Sequence, residues 1–237
     1  MRVIECDQYS ARWWEVRRGV PTASEFSNII TPARGEFSKS AVTYACKLIA
    51  DRYDGNYGPQ SEFATAAMRT GTVMEPEARR FYEFNRDCEV EQVGFVLTDD
   101  GRFGCSPDSL VGDDGVLELK SPKAETHVRY ILDGKLPDEY KPQCHGLLIV
   151  TGRQWCDFMS YVPGFPKFLI RVEPDVFTDK LRDGLEKFWP LYQEMLSKVE
   201  SQREEAIEEA ITRRGAELAD PDSLNALVPP SGVDVEW

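Results

Sequence analysis

The sequence predicts a single α/β domain in which a central mixed β-sheet is flanked by helices. Two observations lead to this prediction. Helical patterns fill the first third of the chain, strand patterns interspersed with helices fill the middle, and a long helical pattern follows. The connections are too short to separate two domains, and this order of elements is typical of one layered α/β domain. We therefore expect one domain over residues 1–214 and an acidic, loosely ordered tail over residues 215–237.

Apolar residues recur at helical spacing in three N-terminal stretches, residues 7–30, 38–53 and 61–85. The first of these contains a turn, and loops with Pro and Gly separate the three stretches. The third is expected to break near Gly71 and to restart with Pro76 early in a new helix, where proline is tolerated.

The pattern changes to that of strands at residue 90. Strands are predicted over residues 90–98, 104–111 and 116–120. Gly112-Asp-Asp-Gly115 lies between the last two and predicts a hairpin. Further along, the patterns predict helices over 124–133 and 138–150, strands over 155–162 and 168–172, and a helix over 175–214.

The charge balance argues against a protein that simply coats nucleic acid. The 237 residues include 28 Lys and Arg against 41 Asp and Glu, which gives a net charge of −13, whereas such binders are basic. The charge is uneven, because residues 1–53 carry a net +2 while residues 215–237 contain five acidic residues and no basic one. A local basic track or an acidic metal site therefore remains compatible with the composition.

The cysteine pattern and the hydropathy of the chain indicate which cofactors and which cell compartment to expect. Six Cys form no CxxC pair and only two His are present, which argues against a structural zinc site. The chain has no apolar run near the roughly 18 residues that a membrane span needs, and its first residues lack the apolar core of a secretory signal. We expect a cytoplasmic protein that does not enter membranes.

The segment from Cys105 to Pro122 carries the chemistry. Because side chains alternate along a strand, Glu118 and Lys120 share one face while the leucines between them face a core. The predicted hairpin brings Asp108 beside Glu118. Two carboxylates suit Mg²⁺ or Mn²⁺, and a nearby ammonium suits hydrolysis of a phosphodiester. The alternative is a solvated Glu–Lys surface pair, which the Pro107-Asp108 step and the strand–turn–strand context disfavour.

These residues carry a resemblance to a known family. Asp108-x9-Glu118-Leu119-Lys120 resembles the PD-(D/E)xK nuclease motif. Four blocks are similar to the bacteriophage lambda exonuclease family, the YqaJ-type viral recombinases: residues 13–30, 69–84, 105–122 and 140–148.

The resemblance implies a restriction-endonuclease-like core over residues 1–214 and a Mg²⁺-dependent 5′→3′ exonuclease that acts on linear double-stranded DNA. Such an enzyme releases 5′-mononucleotides and leaves 3′ single-stranded overhangs for phage-type homologous recombination. The resemblance also implies a homotrimeric ring that threads DNA, a single-strand annealing protein as a possible partner, and a phage or prophage protein in a bacterial host.

The resemblance further assigns roles at the active site. Asp108, Glu118 and the Leu119 carbonyl would bind the metal, with two Mg²⁺ ions per site and Mn²⁺ as a possible substitute, and Lys120 would be the catalytic lysine.

Two more positions match residues that the family places at the active site. Glu75 matches a helix-borne glutamate that reaches the metal shell or its water, although by itself it reads as a glutamate favoured near a helix N-terminus. Gln143 matches a glutamine that holds the nucleophilic water or the phosphate, although by itself it reads as a solvated helix residue.

A second group matches the family's DNA-binding residues. Arg17, Ser24 and Ser106 correspond to a pocket for the terminal 5′-phosphate, which arginine and hydroxyl donors suit. Ser24 alone would be a helix cap and Arg17 alone a surface ion pair. Arg34 corresponds to a residue that tracks the duplex. Met68 corresponds to an apolar wedge that parts the terminal base pair, and it could equally be ordinary helix core.

Two other functions stay open at this point. One is a PD-(D/E)xK endonuclease of DNA repair or restriction, and the other is a non-catalytic recombination scaffold with a decayed nuclease fold. The intact set of acidic residues and lysine disfavours the scaffold.

Overall fold

The computed structural model describes residues 1–53 and 66–219, with side chains for residues 1–53 and 74–214. The chain divides into two units, Met1–Tyr192 and Gln193–Trp237. The described part of the second unit is helical throughout. Within the described residues, no helix is both long enough and apolar enough to cross a membrane. The predicted tail lies outside these residues from position 220 onward.

The described residues form six α-helices, two 3₁₀ helices and eight strands. The α-helices are α1 (Ala11–Arg17), α2 (Ala41–Tyr53), α3 (Ala66–Arg86), α4 (Ala124–Asp133), α5 (Lys141–Thr151) and α6 (Val176–Ala219). The 3₁₀ helices span Ala23–Asn28 and Asp138–Tyr140. The strands are β1 (Arg2–Ile4), β2 (Val90–Glu91), β3 (Phe95–Leu97), β4 (Gly104–Cys105), β5 (Ser109–Val111), β6 (Gly115–Lys120), β7 (Trp155–Ser160) and β8 (Phe168–Val172).

The strands form a five-stranded mixed sheet in the order β2-β5-β6-β7-β8 and a three-stranded antiparallel sheet in the order β1-β3-β4. In the larger sheet only β6 and β7 are parallel. A parallel pair needs a long crossover, and α4 and α5 lie in the connection between these strands. The predicted α/β fold with a mixed sheet and flanking helices is confirmed.

The central strand β6 divides its side chains between a core face and a polar face. Leu117 and Leu119 are buried in a cluster that includes Ala78 and Tyr82 of α3. Burying a large apolar side chain stabilises a fold by roughly 1.5–3 kcal/mol. These contacts hold α3 against the sheet, and the residues between the two leucines and after them face the opposite side.

The strands differ from the sequence prediction in three respects. The predicted strand 90–98 is two strands in different sheets, β2 and β3. They are separated near Gly94, where an added Cβ would lie 2.0 Å from the Cys6 carbonyl oxygen. The predicted strand 104–111 is likewise divided into β4 and β5, since Pro107 lies between them and cannot donate to a ladder. The short strand β1 was not predicted.

The third predicted helix also differs, because α3 runs unbroken from Ala66 to Arg86 with Pro76 inside it. An interior proline costs about 3 kcal/mol relative to alanine. The burial of Ala78 and Tyr82 against the sheet, each 1% exposed or less, offsets that cost. Tertiary packing therefore continues the helix where local sequence predicts a new start.

Candidate active site

Glu118 is the buried centre of a polar cluster on the polar face of β6. The residue is 2% exposed, and its Oε1 accepts hydrogen bonds from Lys120 Nζ and, at 2.7 Å, from Gln143 Nε2. Gln143 is in the first turn of α5, so strand and helix converge on one carboxylate. The predicted sharing of a face by Glu118 and Lys120 is present in the structure.

The other carboxylate oxygen of Glu118, Oε2, is buried and accepts no hydrogen bond from the described residues. Burial raises the pKa of Glu118 to about 7 despite the opposing ammonium of Lys120, and the carboxylate of Asp108 adds to the rise. A buried acceptor without a donor is costly, so this oxygen is suited to receive a cation.

Asp108 lies at the end of the hairpin that the sequence predicts. Ser109 pairs with Leu117, and one further step in this antiparallel register places Asp108 opposite Glu118. Its Oδ2 accepts a 2.5 Å hydrogen bond from the Leu119 main-chain N–H. Burial raises the pKa of Asp108, although Lys120 and this hydrogen bond oppose the rise.

Lys120 is held among these acids as a charged group. Its side chain is 26% exposed, and its Nζ lies 5.4 Å from the centre of the Tyr140 ring. Burial alone would lower the pKa of Lys120, but Glu118 and Asp108 outweigh this effect and raise it above its ordinary value. The ammonium therefore stays protonated at neutral pH.

Glu75 joins the cluster from α3. Its carboxylate pairs with Arg79 one turn further along the helix, at 2.5 Å. Burial raises the pKa of Glu75, Asp108 adds to the rise and Arg79 opposes it. Glu75 thus lies within electrostatic range of the other acids. Arg79 was not singled out from the sequence, where its only signal was the four-residue spacing from Glu75.

The donor set fits a hard divalent cation. Among residues 1–53 and 66–219, no three Asp, Glu, His or Cys side chains form a metal-binding group by themselves. Asp108 and Glu118 offer two carboxylates. Mg²⁺ commonly takes one or two carboxylates and completes its shell with water and phosphate oxygens. The main-chain N–H of Leu119 donates to Asp108. The Leu119 carbonyl points to the same edge of the strand as this N–H.

A second polar cluster forms around Arg17 at the end of α1. Its guanidinium donates to Ser106 Oγ at 3.1 Å and to Thr22 Oγ1 at 3.4 Å. The Thr22 and Ser24 hydroxyls are 3.4 Å apart. The structure therefore brings together all three residues predicted for a phosphate pocket. Thr22 was not predicted, although it lies two positions before Ser24.

Trp13 supports this cluster. Its ring centre lies 4.2 Å from the Arg17 guanidinium carbon. Its Nε1 donates to Ser106 Oγ at 2.8 Å and to the Gly94 carbonyl at 3.2 Å. The Trp13 side chain is only 5% exposed, so it also packs in the core. Its hydrogen bond to Ser106 was not predicted.

One short connection links the two clusters. Ser106, Pro107 and Asp108 follow one another between β4 and β5, so that the first belongs to the Arg17 cluster and the last to the Glu118 cluster. Gln8 fixes this connection, because its Nε2 donates to the Pro107 carbonyl at 2.9 Å and to the Val93 carbonyl at 3.0 Å.

Two predicted DNA-binding residues are not brought into either cluster by the described contacts. The Arg34 side chain is 77% exposed, with Glu36 4.0 Å away, and its carbonyl accepts a hydrogen bond from Lys180. Met68 is in α3, but its side chain lies outside the described part of the structure. Their proposed roles stay predictions.

The fold and the site define an α/β protein with an acidic cluster around the buried Glu118. The cluster lies at the end of the β5–β6 hairpin and includes one lysine, Lys120. The profile of the YqaJ-like viral recombinase domain matches residues 12–154. The chain belongs to this family, which confirms the resemblance seen in the sequence.

Solved structures show the same fold. An alkaline exonuclease from Laribacter hongkongensis, LHK-Exo, is 32% identical, with a TM-score of 0.72 over 83% of this chain and 100% of that one. The structure of LHK-Exo in complex with dAMP is equally similar. A phage related exonuclease from Haemophilus somnus 129PT is 12% identical, with a TM-score of 0.57 over 76% of this chain and 96% of that one, and it shows the fold alone. Comparison with curated proteins gives no match.

Proposed function

We propose that the protein is a Mg²⁺-dependent 5′→3′ exonuclease that degrades linear duplex DNA to 5′-mononucleotides and leaves 3′ overhangs. The observation that carries the proposal is the buried, unpartnered oxygen of Glu118 beside Asp108 and Lys120. Family membership and the similarity to LHK-Exo, an alkaline exonuclease whose structure was also solved with dAMP, support it.

Asp108, Glu118 and the Leu119 carbonyl would hold the metal, which we propose to be two Mg²⁺ ions, with Mn²⁺ as a substitute. When bound there, Mg²⁺ would supply an activated water and would offset charge on the leaving oxygen. The protein contributes a preorganised site, because Leu119 N–H orients Asp108 and Gln143 orients Glu118. Such outer-sphere hydrogen bonds fix the ligands before the metal arrives.

Lys120 would stabilise the negative charge that grows on the phosphate during hydrolysis. Its ammonium stays charged because Glu118 and Asp108 raise its pKa, and a fixed cation in a partly buried site stabilises charge more than one in water. Gln143 would present its amide to the attacking water or the phosphate. Glu75 would accept a hydrogen bond from water in the metal shell.

The Arg17 cluster would bind the terminal 5′-phosphate and so set the polarity. Ser106 Oγ accepts hydrogen bonds from both Trp13 and Arg17. Its two lone pairs are then used, and its own O–H is directed to another acceptor. We propose that this acceptor is a phosphate oxygen, with Ser24 as a further donor.

The spacing between the two clusters suits release of single nucleotides. Ser106 and Asp108 are two residues apart, so the chain can separate them by at most about 7 Å. This length is on the scale of one nucleotide. A terminal phosphate at Ser106 would therefore place the next phosphodiester near Asp108.

The remaining parts of the proposal follow from the family resemblance. A homotrimeric ring would thread the duplex, Arg34 would track it and Met68 would part its terminal base pair. A single-strand annealing protein would take up the 3′ overhang in a phage or prophage setting within a bacterium. Residues 1–214 would form the nuclease domain.

The test is a time course on three duplex substrates: linear with a 5′-phosphate, linear with a 5′-hydroxyl, and covalently closed circular. Each is incubated with Mg²⁺ and with EDTA. We expect Mg²⁺-dependent release of mononucleotides, fastest from the 5′-phosphorylated linear duplex. Cutting of closed circles would indicate the endonuclease, and no hydrolysis of any substrate would indicate the scaffold.

A further inference from the structure

Arg79 is a buried arginine beside the acidic cluster, and the functions proposed so far do not use it. Its side chain is 11% exposed. The guanidinium Nε donates to Ser109 Oγ at 3.1 Å, and Nη2 donates to Glu75 Oε1 at 2.5 Å and to the Asp108 carbonyl at 3.4 Å. When the Gln92 side-chain amide is turned so that its oxygen faces the guanidinium, the orientation that hydrogen bonding favours, this oxygen accepts from both terminal nitrogens of Arg79 at 2.9 Å.

These partners lie on three different segments of the chain. Glu75 is on α3, Asp108 and Ser109 are at the start of β5, and Gln92 follows β2. A guanidinium is a rigid planar fork whose five donors have fixed directions. One side chain that satisfies all these acceptors therefore fixes the position of the Glu75 carboxylate relative to the backbone that carries Asp108.

The burial of this ion pair distinguishes it from ordinary helix surface pairs. Exposed pairs four residues apart on a helix contribute only about 0.3–0.5 kcal/mol. The Glu75 and Arg79 side chains are only 20% and 11% exposed, and a buried charge needs hydrogen-bonded partners to be tolerated. Removing either partner would leave the other uncompensated.

The balance of charges in the acidic cluster also gives Arg79 a role there. Three carboxylates converge on the cluster, from Glu75, Asp108 and Glu118, and Lys120 is paired with the last of these. Arg79 supplies a second cation, which donates to the main-chain carbonyl of Asp108. It offsets the repulsion between the acids and leaves Lys120 for the substrate.

We infer that Arg79 is a positioning residue of the proposed metal site, which holds the Glu75 carboxylate in place against the strand that carries Asp108. The inference rests on the proposed function, since it gives Arg79 its effect through a group near the metal. Partners of this kind typically change metal affinity or activity by about 10–100-fold when they are removed.

The experiment compares Arg79→Lys, Glu75→Gln and the double variant with the parent. Lys keeps the positive charge but cannot satisfy several acceptors at once. The first readout is the apparent Kd for Mg²⁺ without DNA, obtained by fitting the rise in Tm against the Mg²⁺ concentration. The second is the single-turnover rate of nucleotide release. Arg80→Lys, at the exposed neighbouring arginine of the same helix, is the matched control.

We expect Arg79→Lys to raise the apparent Kd for Mg²⁺ by about tenfold and Arg80→Lys to leave it unchanged. In the Glu75→Gln background the same substitution should change it by less than about twofold, because the group through which Arg79 acts is already altered. If Arg79→Lys does not fold, Ser109→Ala replaces it. That variant keeps every charge and should shift the Mg²⁺ dependence in the same direction.

Three outcomes would overturn the inference. Equal shifts in both backgrounds would mean that Arg79 does not act through Glu75. A lower Tm with an unchanged Mg²⁺ dependence, in Arg79→Lys or in the substitute Ser109→Ala, would mean that its role is structural only. Either result leaves the proposed function intact. A parent protein that shows no Mg²⁺ response would instead overturn the proposed metal site, and the inference with it.

Discussion

The amide of Gln143 donates a 2.7 Å hydrogen bond to the carboxylate of Glu118, and this contact joins the first turn of α5 to the central strand β6. Glu118 is almost fully buried, with one oxygen bonded and the other unpartnered. The contact therefore orients the carboxylate so that its second oxygen is available for a cation. In the sequence, Gln143 looks like a solvated helix residue. The contact gives this glutamine a defined position in the site.

Replacing Gln143 by Ala should lower the rate of nucleotide release by about 10–100-fold, because Glu118 loses its orienting donor. The preference for a 5′-phosphate should not change, since the Arg17 cluster keeps all its contacts. The measurement is the single-turnover rate on 5′-phosphorylated and 5′-hydroxyl duplexes. Gln154→Ala is the control, because Gln154 donates to Asp114 in the exposed turn and to no other residue in the described part of the chain. A parental rate for Gln143→Ala would exclude it from the active site.

Replacing Lys120 by Ala should lower nucleotide release by at least about 100-fold, since a preorganised charge at the reacting phosphate is lost. Duplex binding in Ca²⁺ or EDTA should stay largely intact. The exposed Lys123, three positions further on, provides a matched Lys→Ala control. Degradation of linear duplex at the parental rate would show that Lys120 is not catalytic.

The stabilising effect of Mg²⁺ should depend on pH. The pKa of Glu118 is about 7 in the folded protein against an ordinary 4.5. Between these values the folded state binds more protons than the unfolded chain, so in EDTA this group's contribution to stability falls as the pH rises through about 7. Mg²⁺ would compensate the ionised carboxylate.

The rise in Tm on adding Mg²⁺ should therefore be larger at about pH 8 than at about pH 6. Thermal unfolding followed by circular dichroism, with Mg²⁺ or EDTA, measures this difference. The substitution Glu118→Gln removes the titrating group and should abolish most of the pH dependence. An equal Mg²⁺ effect at both pH values would contradict the assignment of Glu118 as a ligand.

Replacing Arg17 by Ala should selectively slow the degradation of 5′-phosphorylated duplex. A hydrogen bond to a charged group contributes about 1.5–3 kcal/mol, or roughly 10–100-fold. We expect kcat/KM for this substrate to fall by that factor, while the rate on a 5′-hydroxyl duplex changes little. Arg12→Ala, at an exposed arginine of the same helix that pairs with Glu15, is the control. An equal loss on both substrates would mean that Arg17 does not recognise the phosphate.

Much of the hairpin formed by β5 and β6 could be predicted from sequence because it depends on local rules. The turn residues Gly112 and Gly115, the alternation along β6 and the register that follows from them place Asp108, Glu118 and Lys120 together. None of these steps requires knowledge of distant packing. The predicted strands and helices after residue 115 agree with the structure within a few residues for the same reason.

The supporting contacts could not be predicted, because they depend on how α3 and α1 pack on the sheets. Arg79 reaches Ser109 across 30 positions of sequence, and Trp13 reaches Ser106 across 93. In the sequence, Arg79 is one of several arginines on a helix and Trp13 is an ordinary core aromatic. Their polar roles follow only from the division of the predicted strands between two sheets, which depends on contacts such as that of Gly94 with Cys6.

The step from Ser106 through Pro107 to Asp108 has a consequence for the length of the product. The proline ring fixes one backbone dihedral, and Gln8 fastens its carbonyl. In the proposed enzyme, Ser106 binds the end of a DNA strand and Asp108 lies where the strand is cut. The distance between these two residues is limited by the covalent chain that joins them. A change in temperature that altered the rate of cutting by such an enzyme would then leave the size of each released fragment unchanged.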